Sequence, residues 1–236
     1  MRNSLAIFRK ELRLYFASTI AYVVIAIFLA VAGYFFSVFL FNTNEASLNF
    51  LFLNTANVML LVSPLLTMRL LAEEQRLGTL ELLLTAPVRD WEVVIGKWLA
   101  AFIVVVVMIG LTAYAAVIVF AFGNPDPGPI FTGYLAVILL GAALLAIGLF
   151  ASGLSQNQLV SAVVAFGLSL LLWNINAMAK YVGSPWREVM NYVALSQHFL
   201  DFTRGVIRAQ DVLYYLSVCA VFLFFATRIV EKRRWE

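Results

Sequence analysis

WLAAFIVVVVMIGLTAYAAVIVFAF, residues 98–122, runs from Trp98 to Phe122 without a charged residue. Crossing about 30 Å of hydrocarbon takes about 20 apolar residues in a helix, so this stretch is long enough to span a bilayer. Five further stretches have comparable length and polarity: Ile20–Phe41, Phe50–Leu71, Ile130–Leu154, Leu159–Met178 and Val212–Val230. None alternates as the roughly ten-residue strands of an outer-membrane barrel do. In lipid each segment must satisfy its own backbone, and a helix does so locally. The expected fold is therefore all-α and integral to the membrane, one domain over residues 1–236 with six spans.

Composition agrees. Hydrophobic residues make up 63 % of the chain and charged residues 12 %. Soluble domains carry about 25 % charged residues, so the apolar surface here exceeds what a water-soluble core can hide. The net charge of +3 flanks the spans and does not form a nucleic-acid face, and no nucleic-acid partner is expected. The first apolar stretch is longer than a signal h-region of about 7–15 residues and is read as a permanent span. Cys219 is the single cysteine, so the fold cannot rest on an intrachain disulfide.

Basic residues set the orientation. With the N-terminus inside, the inner side holds Arg2, Arg9, Lys10, Arg13, Arg69, Arg76, Arg89, Lys97, Arg228, Lys232, Arg233 and Arg234. The outer side holds Lys180, Arg187, Arg204 and Arg208. The positive-inside rule favours this arrangement, with both termini and the Ser155–Asn157 turn cytoplasmic and the segments 42–49, 123–129 and 181–211 outside.

Three segments lie outside the spans. Residues 1–18 contain an amphipathic helix: Leu5, Phe8, Leu12 and Phe16 recur at helical spacing, and Arg9, Lys10, Glu11 and Arg13 cover the other side. Such a helix lies in the interface plane with its apolar side in the acyl boundary. Residues 73–90 contain a second short helix. Gly78 breaks what precedes it, Thr79 is the N-cap, and Glu81 falls in the first turn where the helix dipole favours a carboxylate. Pro87 ends it. At about two turns it is too short to be stable alone. Its leucines cover several sides, so it should be wedged between the spans and another surface. Residues 181–211 hold two short amphipathic helices. One starts at Ser184–Pro185, with Ser at N-cap and Pro at N1. The other starts at Leu195–Ser196. They either re-enter the membrane or lie flat on it.

No G-x-x-x-x-G-K-[ST] exists; Gly96–Lys97 is followed by Trp98, so no loop cradles phosphates. No His-Glu-x-x-His and no Gly-x-Ser-x-Gly occurs. His198, the single histidine, reads as a polar residue of an outer helix. No cofactor and no metal is expected in this chain, and no catalysis. The span centres hold no Asp, Glu, Lys, Arg or His, which disfavours a proton relay or an intramembrane acid–base enzyme. Their polar residues are Asn54, Asn57, Ser63, Thr67, Asn174 and Asn176. These either bond between helices, at about 1 kcal/mol each, or line a passage.

Several blocks carry a resemblance: Phe8–Leu12, Thr67–Pro87, Val94–Lys97, Gly148–Gln158 and Phe199–Ile207. Glu74 to Pro87 reads Glu-x-x-x-Gly-Thr-Leu-Glu-x-Leu-Leu-x-x-Pro. Through these blocks nearly the whole chain resembles the permease subunits of ABC-2-type transporters. The gliding-motility type is nearest, with the nitrous-oxide-reductase maturation permeases as relatives. The resemblance implies an N-terminal elbow helix, a cytoplasmic coupling helix and outer re-entrant helices. It implies a pair of permease subunits in a bacterial plasma membrane, two ABC ATPase subunits that hold ATP and Mg, and room for an extracytoplasmic accessory protein. In such a complex Glu73, Glu74, Arg76 and Glu81 are candidates for ion pairs with the ATPase. Gly78, Thr79 and Pro87 bound the coupling helix, and Leu80, Leu82, Leu83 and Leu84 fill the ATPase groove. The competing reading is a scaffold or channel-like protein without an ATPase.

Overall fold

The computed structural model describes residues 2–43, 47–79 and 88–233. Every regular element among them is helical: α1 (Arg2–Ala17), α2 (Thr19–Thr43), α3 (Asn49–Thr67), α4 (Ala72–Arg76), α5 (Asp90–Leu111), α6 (Ala113–Phe122), α7 (Pro127–Leu154), α8 (Gln158–Met178), α9 (Trp186–Val193), α10 (Leu195–Thr203) and α11 (Ala209–Arg233). Among the described residues, six helical stretches are long and apolar enough to cross a membrane. They are α2, α3 with α4, α5 with α6, α7, α8 with the 3-10 turn after it, and α11. The all-α membrane fold therefore stands.

α7 is the central element. Every residue from Leu140 to Leu149 is buried, and α3, α5, α8, α10 and α11 pack around it. A helix apolar on all sides belongs in such a place. Its start is conventional: Asp126 Oδ1 accepts from the Gly128 N–H at 3.0 Å, with Pro127 in the first turn. The turn into α8 is capped by Asn157, whose Oδ1 accepts from the Leu159 N–H at 2.9 Å.

Several bounds differ from the sequence reading, each for a local reason. α5 begins at Asp90, not Trp98. The Arg89 N–H donates to Glu92 Oε2 at 3.1 Å, and Val93 and Val94 are fully buried, so the first turns are packed although they are charged. The third span is also broken at Thr112. The break is satisfied locally: the Thr112 hydroxyl donates to the Ile109 carbonyl at 2.6 Å, and Tyr134 donates to the Thr112 carbonyl at 3.0 Å. At the opposite end α9 begins at Trp186 with Pro185 at the N-cap, one residue later than Ser184 capping would give. The two helices there behave differently. α9 has no buried residue, whereas Leu195, Phe199 and Phe202 of α10 are fully buried.

α3 crosses α7 closely because glycines face it. A Cβ on Gly148 would lie 2.1 Å from Thr67 Oγ1, and Thr67 cannot swing away because it is fully buried and bonded to the Ser63 carbonyl at 2.8 Å. We expect Gly148→Ala to destabilise the purified protein by about 1–3 kcal/mol. Gly167→Ala, in open space on α8, should be neutral or stabilising by up to about 1 kcal/mol. Melting temperatures in one detergent decide it, and equal melting of the two variants would contradict this packing.

Candidate functional site

The site forms at the end of the bundle that carries the most basic residues, where α3 gives way to α4. Pro64 has no N–H to donate, and α3 stops at Thr67. The next residues turn, leaving carbonyls and amides that need partners. Ser152 of α7 supplies them. Its hydroxyl donates to the Met68 carbonyl and accepts from the Leu71 and Ala72 N–H groups, all at 3.1 Å. Gln75 then donates from Nε2 to the Gly153 carbonyl at 3.1 Å. So α4, one turn long, is held to α7 by two successive residues.

Its other side is held by charge. Lys97 of α5 is 1 % exposed. Its Nζ lies 2.8 Å from Glu11 Oε1 of α1 and 2.9 Å from Glu74 Oε2 of α4. Lys10 completes the ring, 3.1 Å from Glu74 Oε1 and 3.7 Å from Glu11 Oε1. Two cations thus alternate with two carboxylates. Burial alone would lower the Lys10 ammonium, but Glu74 and Glu11 beside it hold it above its usual range, so it stays charged at neutral pH.

α1 is fastened to the same place. A Cβ on Gly96 would lie 2.9 Å from the Ser4 carbonyl and 3.0 Å from Ile7 Cβ, so the glycine lets α1 cross α5 in close contact. Tyr15 donates to the Leu66 carbonyl at 2.6 Å, and burial pushes its hydroxyl pKa well up, keeping it a donor. The inward stripe of α1 is Ile7 and Glu11, while Leu5 and Phe16 are exposed. This corrects the expected division of the helix: Glu11 of the charged side faces the protein, because Lys97 waits there.

The expected coupling residues fall into three groups. Glu73 and Glu74 turn inward. Glu73 accepts from Arg69 at 3.0 Å, and Glu74 serves Lys10 and Lys97, so both carboxylates are engaged within the subunit. Arg76, Gly78 and Thr79 are exposed. Gly78 adopts φ +67° with nothing within 4 Å of where a Cβ would sit, so backbone conformation, not space, requires glycine there. The Thr79 hydroxyl donates to the Glu74 carbonyl at 3.4 Å. Leu80, Glu81, Leu82, Leu83, Leu84 and Pro87 lie outside the described residues.

The polar residues of the spans also divide. Ser63 and Thr67 are fully buried between α3 and α7. Asn57 and Asn174 are exposed, and Asn54 and Asn176 half-buried, on the adjoining helices α3 and α8. Asn54, Asn57 and Asn174 each donate to the carbonyl four residues back.

A second buried polar node sits at the opposite end. His198 is buried, with Nδ1 2.6 Å from Asp211 Oδ1 and Nε2 2.9 Å from the Tyr192 carbonyl. A carbonyl only accepts, so Nε2 carries a proton. The ring stacks on Tyr214 at 3.9 Å. His198 is thus a pin between α10 and α11 and not a surface residue.

Residues 6–234 match the family described as ABC-2 family transporter protein, and the chain belongs to that family. It is also similar to the "Probable multidrug ABC transporter permease YbhR" of Escherichia coli K12 and to the protein of the same name in E. coli O157:H7. Each is 29 % identical over 143 residues, covering 57 % of this chain and 37 % of the relative. The aligned stretch thus spans little more than a third of those relatives.

Lys97→Met should loosen α1 and α4 together. It leaves both carboxylates to the exposed Lys10 alone, and breaking a buried pair costs about 3–5 kcal/mol. We expect faster tryptic cleavage within α1, at Arg9 or Arg13. Adding Glu11→Leu and Glu74→Leu to Lys97→Met should restore protection. If the single change leaves cleavage unaltered, the cluster does not hold α1.

Proposed function

We propose that this chain is the membrane permease subunit of an ABC exporter, paired with a second permease and driven by two separate ATPase subunits that hold ATP and Mg. The observation that carries the reading is the clamping of α4. A one-turn helix is pinned to α7, α5 and α1, and its exposed continuation, Arg76 to Thr79, leads into the leucine-rich segment 80–87. A surface built this way can pass a push from a partner to three helices at once. Because Glu73 and Glu74 are engaged internally, Arg76 and Glu81 remain as the charges for the ATPase, with the leucines filling its groove. The sequence has no phosphate-binding loop of its own, which fits a motor in another chain.

Asn54, Asn57, Asn174 and Asn176 are the proposed passage lining. All lie near one end of two adjoining helices, and amides bonded only within their own helix retain a carbonyl oxygen for water or substrate. The gliding-motility type remains the subfamily we favour, on the turn from Ser155 to Gln158. The relatives' name makes drug-like amphiphiles the first compounds to test by ATPase stimulation. The setting we propose is a bacterial plasma membrane with both termini cytoplasmic.

Coupling is tested by Glu81→Lys and Gly78→Pro. Proline holds φ near −65° and cannot adopt +67°. A cation in a first helical turn opposes the dipole by about 0.3–1 kcal/mol. Both variants should insert normally but recover less ATPase on pull-down, or lose substrate-stimulated hydrolysis, while Arg187→Glu at the opposite end behaves as wild type. Wild-type behaviour of both coupling variants would defeat the mechanism. Orientation is tested separately with Cys219 replaced and a cysteine introduced at Asn44. It should react with an impermeant maleimide from outside the cell, and reaction only from the cytoplasmic side would invert the arrangement.

A further inference from the structure

A cavity of about 510 Å³ opens between α1, the start of α2 and the α3–α4 junction. Leu14, Ile20, Val24 and Leu65 form an apolar wall, and Leu14, Ile20 and Leu65 stand exposed at its rim. Ile20 and Leu65 belong to spans, so this rim faces lipid. The far end is charged. Lys10, Arg69 and Lys97 meet Glu11, Glu73 and Glu74 there, three cations against three carboxylates.

The charges are not equally accessible. Lys97 and Glu11 are buried, whereas the Lys10 and Arg69 side chains are 54 % and 38 % exposed. A guanidinium has five N–H donors, and Glu73 accepts from two of the Arg69 nitrogens. Donors therefore remain at the mouth for an anionic oxygen, with carboxylates close enough for a cation. An apolar wall open sideways to lipid and a charged end toward water have the polarity of one lipid molecule. The balanced charge suits a zwitterionic headgroup better than an anionic one.

We infer that this cleft seats one phospholipid of the adjoining leaflet, its phosphodiester between Lys10 and Arg69, its ammonium toward Glu73, and an acyl chain along Leu14, Ile20 and Leu65. Site-bound lipid would contact α1 and the α3–α4 junction together. The inference rests on the membrane placement of the six helices and needs neither the ATPase nor a given orientation.

The test uses the full chain, purified, delipidated in detergent and titrated with phosphatidylethanolamine, with bound lipid counted by native mass spectrometry. One lipid per chain should survive activation. Lys10→Gln with Arg69→Gln should weaken retention about thirtyfold, as two basic groups near a headgroup imply. Ile20→Trp, which crowds the rim and leaves the charges alone, should weaken it too. Arg187→Gln should not. Melting curves accompany each variant; if the double variant melts early, Ile20→Trp decides. Inorganic phosphate and glycerophosphoethanolamine should not displace the lipid. Undiminished retention in Ile20→Trp, undiminished retention in a folded double variant, equal loss in Arg187→Gln, or displacement by inorganic phosphate would each overturn the site.

Discussion

Lys97 is almost wholly buried, and the geometry of the basic end follows from that. A buried ammonium is tolerated only when paired and hydrogen-bonded. Glu92, on its own helix, accepts from the Arg89 N–H. The carboxylates come from elsewhere: Glu11 from α1, nearly ninety positions earlier in sequence, and Glu74 from α4. Meeting both within 3 Å fixes how far α1 slides along α5 and how α4 is turned. Gly96, one residue earlier, sets how closely α1 approaches. Charge pairing is a costly way to gain stability, and isosteric apolar residues often do as well. Its use here selects one arrangement of three elements over others of similar packing.

The other side of α4 obeys the rule that buried backbone groups need partners. Ending α3 at Thr67 and beginning α4 at Ala72 exposes amides and a carbonyl inside a packed region. Ser152 answers three of these groups with one hydroxyl. A serine is short enough to reach backbone atoms at a helix crossing, and the buried Gly148, a turn earlier, brings the helices that close.

The spans were legible because length and polarity alone decide whether a helix can cross a bilayer. What failed to read were the places where lipid reverses the usual logic. In α1 Leu5 and Phe16 are exposed, as the expected acyl-boundary side requires, whereas Glu11 belongs to the charged side that helical spacing turns away from the apolar one. Glu11 therefore read as solvated. The third span reads from Trp98 because the charges of Asp90–Lys97 mask helical turns whose partners lie in other segments. The only local hints were Glu92, three residues after Arg89, and the glycine before Lys97. His198 was undecidable for the same reason: its partner Asp211 opens a different helix. Among the coupling residues, Gly78 was read correctly as a helix breaker because positive φ is a local property. The inward turn of Glu74 depends on distant cations, Lys10 and Lys97, whereas Glu73 pairs with Arg69 four residues earlier.

The clamp also bears on how a permease of this design would work. A helix of five residues cannot store or carry force by itself; isolated, it would unwind. Here its side chains and termini are tied to α7 through Ser152 and Gln75, to α5 through Lys97, and to α1 through Lys10 and Glu11. A displacement entering at Arg76–Thr79 therefore meets no soft element before it reaches the central helix. Packed interfaces of this kind move as rigid bodies between discrete positions and do not deform continuously. Under the proposed coupling, the charged ring would have to move with α4 as one unit, because separating Lys97 from either carboxylate leaves a buried charge. The cost of that separation is what would turn a local push into a concerted shift of α1, α5 and α7.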